Sequence, residues 1–140
     1  MKIYFCGSIA GGRKFVDSYK QIVDHLKQAG HEVLSEHIVK DDIFEWEKKF
    51  SPEEIYTRDV EMLDEAEAVI AEVSNPSLGV GYEICYAEKR GVPVLCLYQE
   101  GLFVSRMITG NTAENVRIET YRDIDELKKL VDQFLDYKEW

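Results

Sequence analysis

Short apolar runs alternate with helical patterns along this chain, and that alternation restricts it to an α/β fold built on a parallel sheet. Residues 2–6 read as a first strand, and 7–12 as a Gly-rich turn. From 13 to 28 the residues Phe15, Tyr19, Ile22, Val23 and Leu26 recur at helical spacing, and Gly30 ends that helix. A second strand starts at 32–34. Residues 38–50 carry mixed charge with Phe44 and Trp46 and read as a mobile loop or a short helix. Ser51, Pro52 and Glu54 form a strong helix start, with a capping Ser, a Pro at the first helical position and a Glu completing a capping box. That helix runs to about Glu65. A third strand covers 68–71, extended by Glu72 and Val73, and a Gly/Ser/Pro loop covers 74–81. A helix to Arg90 follows, closed by Gly91. Residues 93–97 form a fourth strand, 103–108 a short helix, 116–121 a fifth strand and 124–137 a last amphipathic helix.

Five such strands predict a single α/β domain over 1–140, a doubly wound five-stranded parallel sheet covered on both faces, with no internal repeat. In such sheets ligands bind at the carboxyl ends of the strands, near the topological switch point. The rule selects 7–13, Glu36 with His37, 72–83 and 98–107.

Charge narrows the ligand. The net charge is −10 and no basic stretch occurs, which argues against a nucleic-acid polymer as partner. A small phosphorylated ligand stays compatible, because a few backbone N–H groups at a helix start can hold it. No apolar run is long enough to span a membrane, and the run 3–6 is too short for a signal peptide. Cys6, Cys85 and Cys96 are odd in number and form no C-x-x-C, so neither a disulfide framework nor a metal site is expected. All three sit among apolar residues as small hydrophobes, which fits a reducing cytoplasm.

Several residues break the apolar pattern. Asp59 lies on one helical stripe with Ile55, Met62 and Leu63, where a carboxylate is costly unless it is paired or used. Burial raises its pKa, which suits a general acid, although an Asp at the stripe's edge or paired with an Arg is the plainer alternative. Glu83 falls inside the stripe of Val80, Ile84 and Ala87, with a first-turn, dipole-favoured Glu as the alternative. Two inward carboxylates beside one cleft are what glycosidic cleavage needs. Tyr4, in a strand buried on both faces, needs a hydroxyl partner, either a carboxylate or the backbone. The segment Gly7, Ser8, Ile9, Ala10, Gly11, Gly12 and Arg13 reads as a cradle for phosphate or sugar, or simply as a tight turn. Tyr19 reads as core, and His37 ends a strand at the ligand edge.

These residues resemble a known family. Tyr4-Phe-Cys-Gly-Ser-Ile with Gly11-Gly-Arg13, Glu36-His37, Asp59, Ala71-Glu-Val, Pro76-Ser-Leu-Gly-Val-Gly-Tyr-Glu83 and Ser105-Arg-Met-Ile are similar to the 2′-deoxynucleoside 5′-phosphate N-hydrolases, a branch of the nucleoside 2-deoxyribosyltransferase superfamily. The resemblance covers nearly the whole chain and is weakest at 38–50. It implies a flavodoxin-like fold, hydrolysis of the N-glycosidic bond of deoxynucleoside monophosphates, no cofactor, and a homodimer that completes its site across the interface. It implies Glu83 as nucleophile, Asp59 as the group assisting the departing base, and Tyr4 as the residue orienting Glu83. Gly7, Ser8, Ile9, Gly11, Gly12, Arg13, Ser77 and Gly79 would hold the sugar phosphate, with Ser105 reaching it from the partner. Tyr19, His37 and Met107 would line the pocket. Where the family carries an Arg, this chain has Ala10, so a bidentate phosphate contact is missing there and Arg13 or Arg106 is left to compensate. Two rival readings are base exchange by a nucleoside 2-deoxyribosyltransferase and a non-catalytic nucleotide- or flavin-binding module.

Overall fold

The computed structural model describes residues 1–137. Five parallel strands, β1 (Lys2–Cys6), β2 (Glu32–Val33), β3 (Ala68–Glu72), β4 (Val94–Gln99) and β5 (Val116–Tyr121), form one sheet in the order β2-β1-β3-β4-β5. This is the flavodoxin-like order, and its switch point lies between β1 and β3. Helices α1 (Val16–Gln28), α2 (Ile43–Glu47), α3 (Pro52–Glu65), α4 (Leu78–Lys89), α5 (Arg106–Thr109) and α6 (Ile124–Asp136) connect or flank the strands. No helix among the described residues is long and apolar enough to cross a membrane.

Strand alternation builds two cores. Ile3, Phe5, Ile70, Leu95 and Leu97 face one side and pack with Tyr19, Ile22, Leu26, Leu127, Val131 and Phe134 of α1 and α6. Tyr4, Cys6, Val69, Ala71, Val94 and Cys96 face the other and pack with Leu63 of α3 and Val80, Ile84 and Ala87 of α4. Cys85, by contrast with the other two cysteines, is exposed, on the α4 face turned away from the sheet.

Several expected boundaries move, while 38–50 takes one of its two expected forms. The first helix begins at Val16 rather than 13, because 10–15 are spent in turns. The second strand is only Glu32–Val33, and His37 lies in a 3-10 turn (Glu36–Val39) instead of ending a strand. The stretch 38–50 contains the short helix α2. The helix expected after 81 already starts at Leu78, where the Ser77 hydroxyl accepts from the Val80 N–H at 3.3 Å. Ser51 caps α3 in the same manner, accepting from Glu54 N at 3.1 Å.

Candidate active site

The α4 start determines what Glu83 can do. Glu83 lies in the second turn, beyond the first-turn position where the helix dipole would account for a carboxylate. Its neighbours Val80, Ile84 and Ala87 are buried against the sheet, so its side chain is carried toward the β1 end. There the Tyr4 hydroxyl, on a residue only 3% exposed, donates to Glu83 Oε1 at 2.8 Å. The Cys6 thiol, two residues on and on the same sheet face, also favours the Glu83 carboxylate. Burial pushes the Glu83 carboxyl up to about 7, Tyr4 and Cys6 pull it down, and the Asp59 charge pushes it up again. Burial and Glu83 hold the Tyr4 phenol far above its ordinary range, so Tyr4 stays a donor.

Asp59 reaches the same place from α3. Burial raises its pKa, and Arg58 opposes that. Arg58 contacts Asp59 Oδ1 through Nε at 2.9 Å and Nη2 at 2.8 Å, and its Nη2 lies 3.4 Å from Glu47. The guanidinium sits 5.1 Å from the Trp46 ring centre and 5.8 Å from that of Phe50. His37 packs beside Trp46, ring centres 5.2 Å apart. Burial, Arg58 and Lys40 lower the His37 pKa to about 4, so its ring is neutral at physiological pH.

The loop between β1 and α1 is built tightly. A Cβ at Gly7 would stand 2.7 Å from the Tyr19 ring, so only glycine lets Tyr19 pass beneath the backbone. The Tyr19 hydroxyl accepts from the Ser8 N–H at 2.9 Å. Tyr19 is thus wholly buried under the loop. Ser8 is also buried, and its Oγ has no partner among the described residues. Ile9 packs partly into the core below. Arg13 spends its guanidinium on carbonyls, donating to Ile38 at 2.6 Å, Lys40 at 3.3 Å and Ser8 at 3.4 Å. In this arrangement it ties the loop to the 3-10 turn.

The expected site residues fall into two groups on either flank of α4. Tyr4, Asp59 and Glu83 meet on the α3 side, with His37 nearby. A cavity of about 1300 Å³ on the other flank is bordered by Gly11, Ser77, Gly79, Ser105 and Met107, and it does not include either carboxylate. Leu78, Phe103 and Met107 stand 98%, 80% and 84% exposed beside it.

Three residues escaped the sequence reading. Glu72 is completely buried on the α1 and α6 face, accepting from the Ser74 N–H at 3.0 Å and from the Ser74 hydroxyl. Burial lifts its carboxyl to about 7, while the Ser74 bonds oppose. Its signal was strand phase, since 68, 70 and 72 share a face. Arg58 and Trp46 carried no local signal, because they meet across separate elements.

The family model for nucleoside 2-deoxyribosyltransferase matches residues 3–121. A Methanosarcina mazei protein, named as a candidate 2′-deoxynucleoside 5′-phosphate N-hydrolase, is 43% identical over 133 residues, 95% of this chain and 83% of its own. The 5-hydroxymethyl-dUMP N-hydrolase of Danio rerio is 39% identical over 140 residues, 97% of this chain and 96% of its own. Among solved structures, a CMP N-glycosidase of Clostridium botulinum shares the fold with a TM-score of 0.70 at 20% identity, covering 94% of this chain and 99% of that one. With the family model matched over most of its length and close relatives along nearly all of it, this chain belongs to the nucleoside 2-deoxyribosyltransferase family.

Proposed function

We propose that this chain hydrolyses the N-glycosidic bond of 2′-deoxynucleoside 5′-monophosphates, giving free base and 2-deoxyribose 5-phosphate. The observation that carries this reading is Glu83, half-buried, held by Tyr4 at 2.8 Å and lying within the field of a second carboxyl on Asp59. Near pH 7 a group that titrates at about 7 supplies a useful fraction of carboxylate. That carboxylate meets C1′ as the C1′–N bond breaks, and the bonding pair leaves with the base. Asp59, whose pKa burial raises, donates the proton that the departing base nitrogen needs. Water then displaces the Glu83 carboxylate at C1′, and its proton passes to Asp59, which restores both carboxyl groups. The names of the Methanosarcina and Danio relatives support the monophosphate as substrate.

The loop 7–13, Ser77 and Gly79 are proposed to hold the sugar phosphate. The exposed Leu78, Phe103 and Met107 favour a second copy of this chain as cover for that flank, which would bring the partner's Ser105 to the phosphate. The test is one panel. Incubated with dGMP, GMP, deoxyguanosine and dCMP, the protein is expected to release free base from a deoxynucleoside monophosphate in preference to GMP and deoxyguanosine. A Glu83→Gln protein that still hydrolyses dGMP at the normal rate ends the proposal.

A second reading is base exchange, favoured by the family model's own description. Deoxynucleoside supplied with a foreign base separates the two, since only a transferase returns the exchanged nucleoside.

A further inference from the structure

The two loops that border the proposed sugar-phosphate site are stitched together by one side chain. Asn75 Nδ2 donates to the Gly11 carbonyl at 3.1 Å and to the Gly12 carbonyl at 3.1 Å. The loops are in direct contact there, because a Cβ at Gly11 would stand 2.2 Å from the Pro76 carbonyl oxygen. Asn75 has an anchored base behind it. Glu72 accepts from the Ser74 N–H at 3.0 Å and from its hydroxyl, and Ser74 Oγ accepts from Gln99 N at 2.9 Å.

Planarity gives this latch a consequence for anion binding. A trans peptide points its carbonyl and the next N–H in opposite directions. Turning the Gly11 carbonyl toward Asn75 therefore sends the Gly12 N–H inward, where it donates to Ile9 at 3.1 Å and closes the turn. The same constraint on the Gly12 carbonyl aims the Arg13 N–H away from the second loop. Carbonyl oxygens are the backbone groups that repel a phosphoryl group, and both are held off by Asn75. At the exposed tip the N–H groups of Ala10 and Gly11 have no acceptor among the described residues. Ala10 supplies no cation, and Arg13 is occupied by carbonyls, so backbone N–H groups are what the tip at 10–11 offers to an anion.

We propose that Asn75 is a positioning residue that locks the loop between β1 and α1 in its anion-accepting form and thereby sets affinity for the 5′-phosphate half of the substrate. This rests on the monophosphate reading above. The test compares wild type with Asn75→Ala, Asn75→Asp and Asn75→Gln. Loss of two hydrogen bonds at the latch is expected to raise KM for dGMP by about tenfold, while kcat moves less than about threefold. Asn75→Asp, which sets an acceptor against two carbonyls, weakens binding further, and Asn75→Gln, which keeps the amide, restores part of it. Hydrolysis of deoxyguanosine, however slow, is expected to be unchanged. Amide hydrogen exchange at 10–13, with and without inorganic phosphate, is read on the same proteins; phosphate is expected to protect these amides in wild type and not in Asn75→Ala. A KM for dGMP unchanged in Asn75→Ala, or equal losses for dGMP and deoxyguanosine, overturns the latch. If wild type hydrolyses no monophosphate, the substrate reading fails, and the exchange experiment alone decides the latch.

Discussion

Replacing Tyr4 by Phe removes one oxygen and leaves a buried ring in place, so the loss can be read as the loss of one hydrogen bond. That bond, 2.8 Å to Glu83 Oε1, opposes the burial that raises the Glu83 carboxyl to about 7. A hydrogen bond to a charged group contributes about 1.5–3 kcal/mol, and about 1.36 kcal/mol corresponds to one pH unit, so Glu83 should titrate about one to two pH units higher in Tyr4→Phe. The sign follows from which form the phenol stabilises. Tyr4 donates to the carboxylate, so removing it favours the protonated acid, and the nucleophilic form then requires a higher pH. At pH 7 the ionised fraction should drop from roughly one half to between about one in ten and one in a hundred, a rate loss of about five- to fifty-fold. The assay is the pH dependence of kcat/KM for dGMP hydrolysis in both proteins. The acid limb is expected to move up, and the two curves to converge at high pH. A loss of equal size at every pH would refute the reasoning, because it would mean that Tyr4 acts on something other than Glu83 ionisation.

Asp59→Asn, which cannot donate the proton to the base, is expected to lower kcat for dGMP by about 10²–10⁴, and by less for a substrate whose base leaves readily as an anion; equal losses for both leaving groups would remove Asp59 from that role. Glu72 gives a stability prediction. Its folded carboxyl titrates at about 7 against an ordinary 4.5, so the fold holds this proton more tightly than the unfolded chain does. The stability it lends is complete below about pH 4.5 and is lost as pH rises toward 7, by up to about 3 kcal/mol. Glu72→Gln should therefore gain Tm relative to wild type at pH 8 and lose that advantage at pH 4, in thermal melts at both values; a difference independent of pH would contradict it. Leu78→Asp, at a residue 98% exposed, should leave Tm of the single chain nearly unchanged and shift sedimentation from dimer to monomer, with hydrolysis falling as the dimer disappears; an unaltered sedimentation profile would remove the proposed interface.

The strands were legible because buried parallel strands leave short apolar runs that period and length can locate, and β5 begins and ends where its pattern does. The start of α3 was legible because Ser51 and Pro52 act within their own turn. The start of α4 was not. Gly79 and Gly81 are poor helix formers, and the first turn stands only because Ser77 caps it and Val80 packs on the sheet. The segment 38–50 has no readable period, since Trp46 and Phe50 pack around Arg58 of another helix. Within the proposed site, Asp59 stood out as a carboxylate in an apolar stripe, and it is paired with Arg58, the plainer of its two readings, while Tyr4 stood out as a hydroxyl without a local partner and bonds Glu83. Arg13 looked like a free cation because nothing local shows that its donors go to Ser8, Ile38 and Lys40.

The site depends on strand register as much as on its own residues. Tyr4 pairs with Val69 and Cys6 with Ala71, so Tyr4, Cys6 and the α4 contact face share one side of the sheet. Glu72, one step beyond Ala71, must then fall on the opposite side, where it anchors Ser74 and through it the loop that carries Asn75. A one-residue slip would exchange the faces, turning Tyr4 away from Glu83 and setting Glu72 among the apolar residues packed under α3 and α4. No such slip could keep the Tyr4 bond, because side chains alternate with a period of two. The switch point between β1 and β3 therefore does more than open a crevice. It places the end of one strand beneath Glu83 and the end of its neighbour beneath the loops proposed to hold the phosphate, so that carboxylate and cradle share a single rigid support.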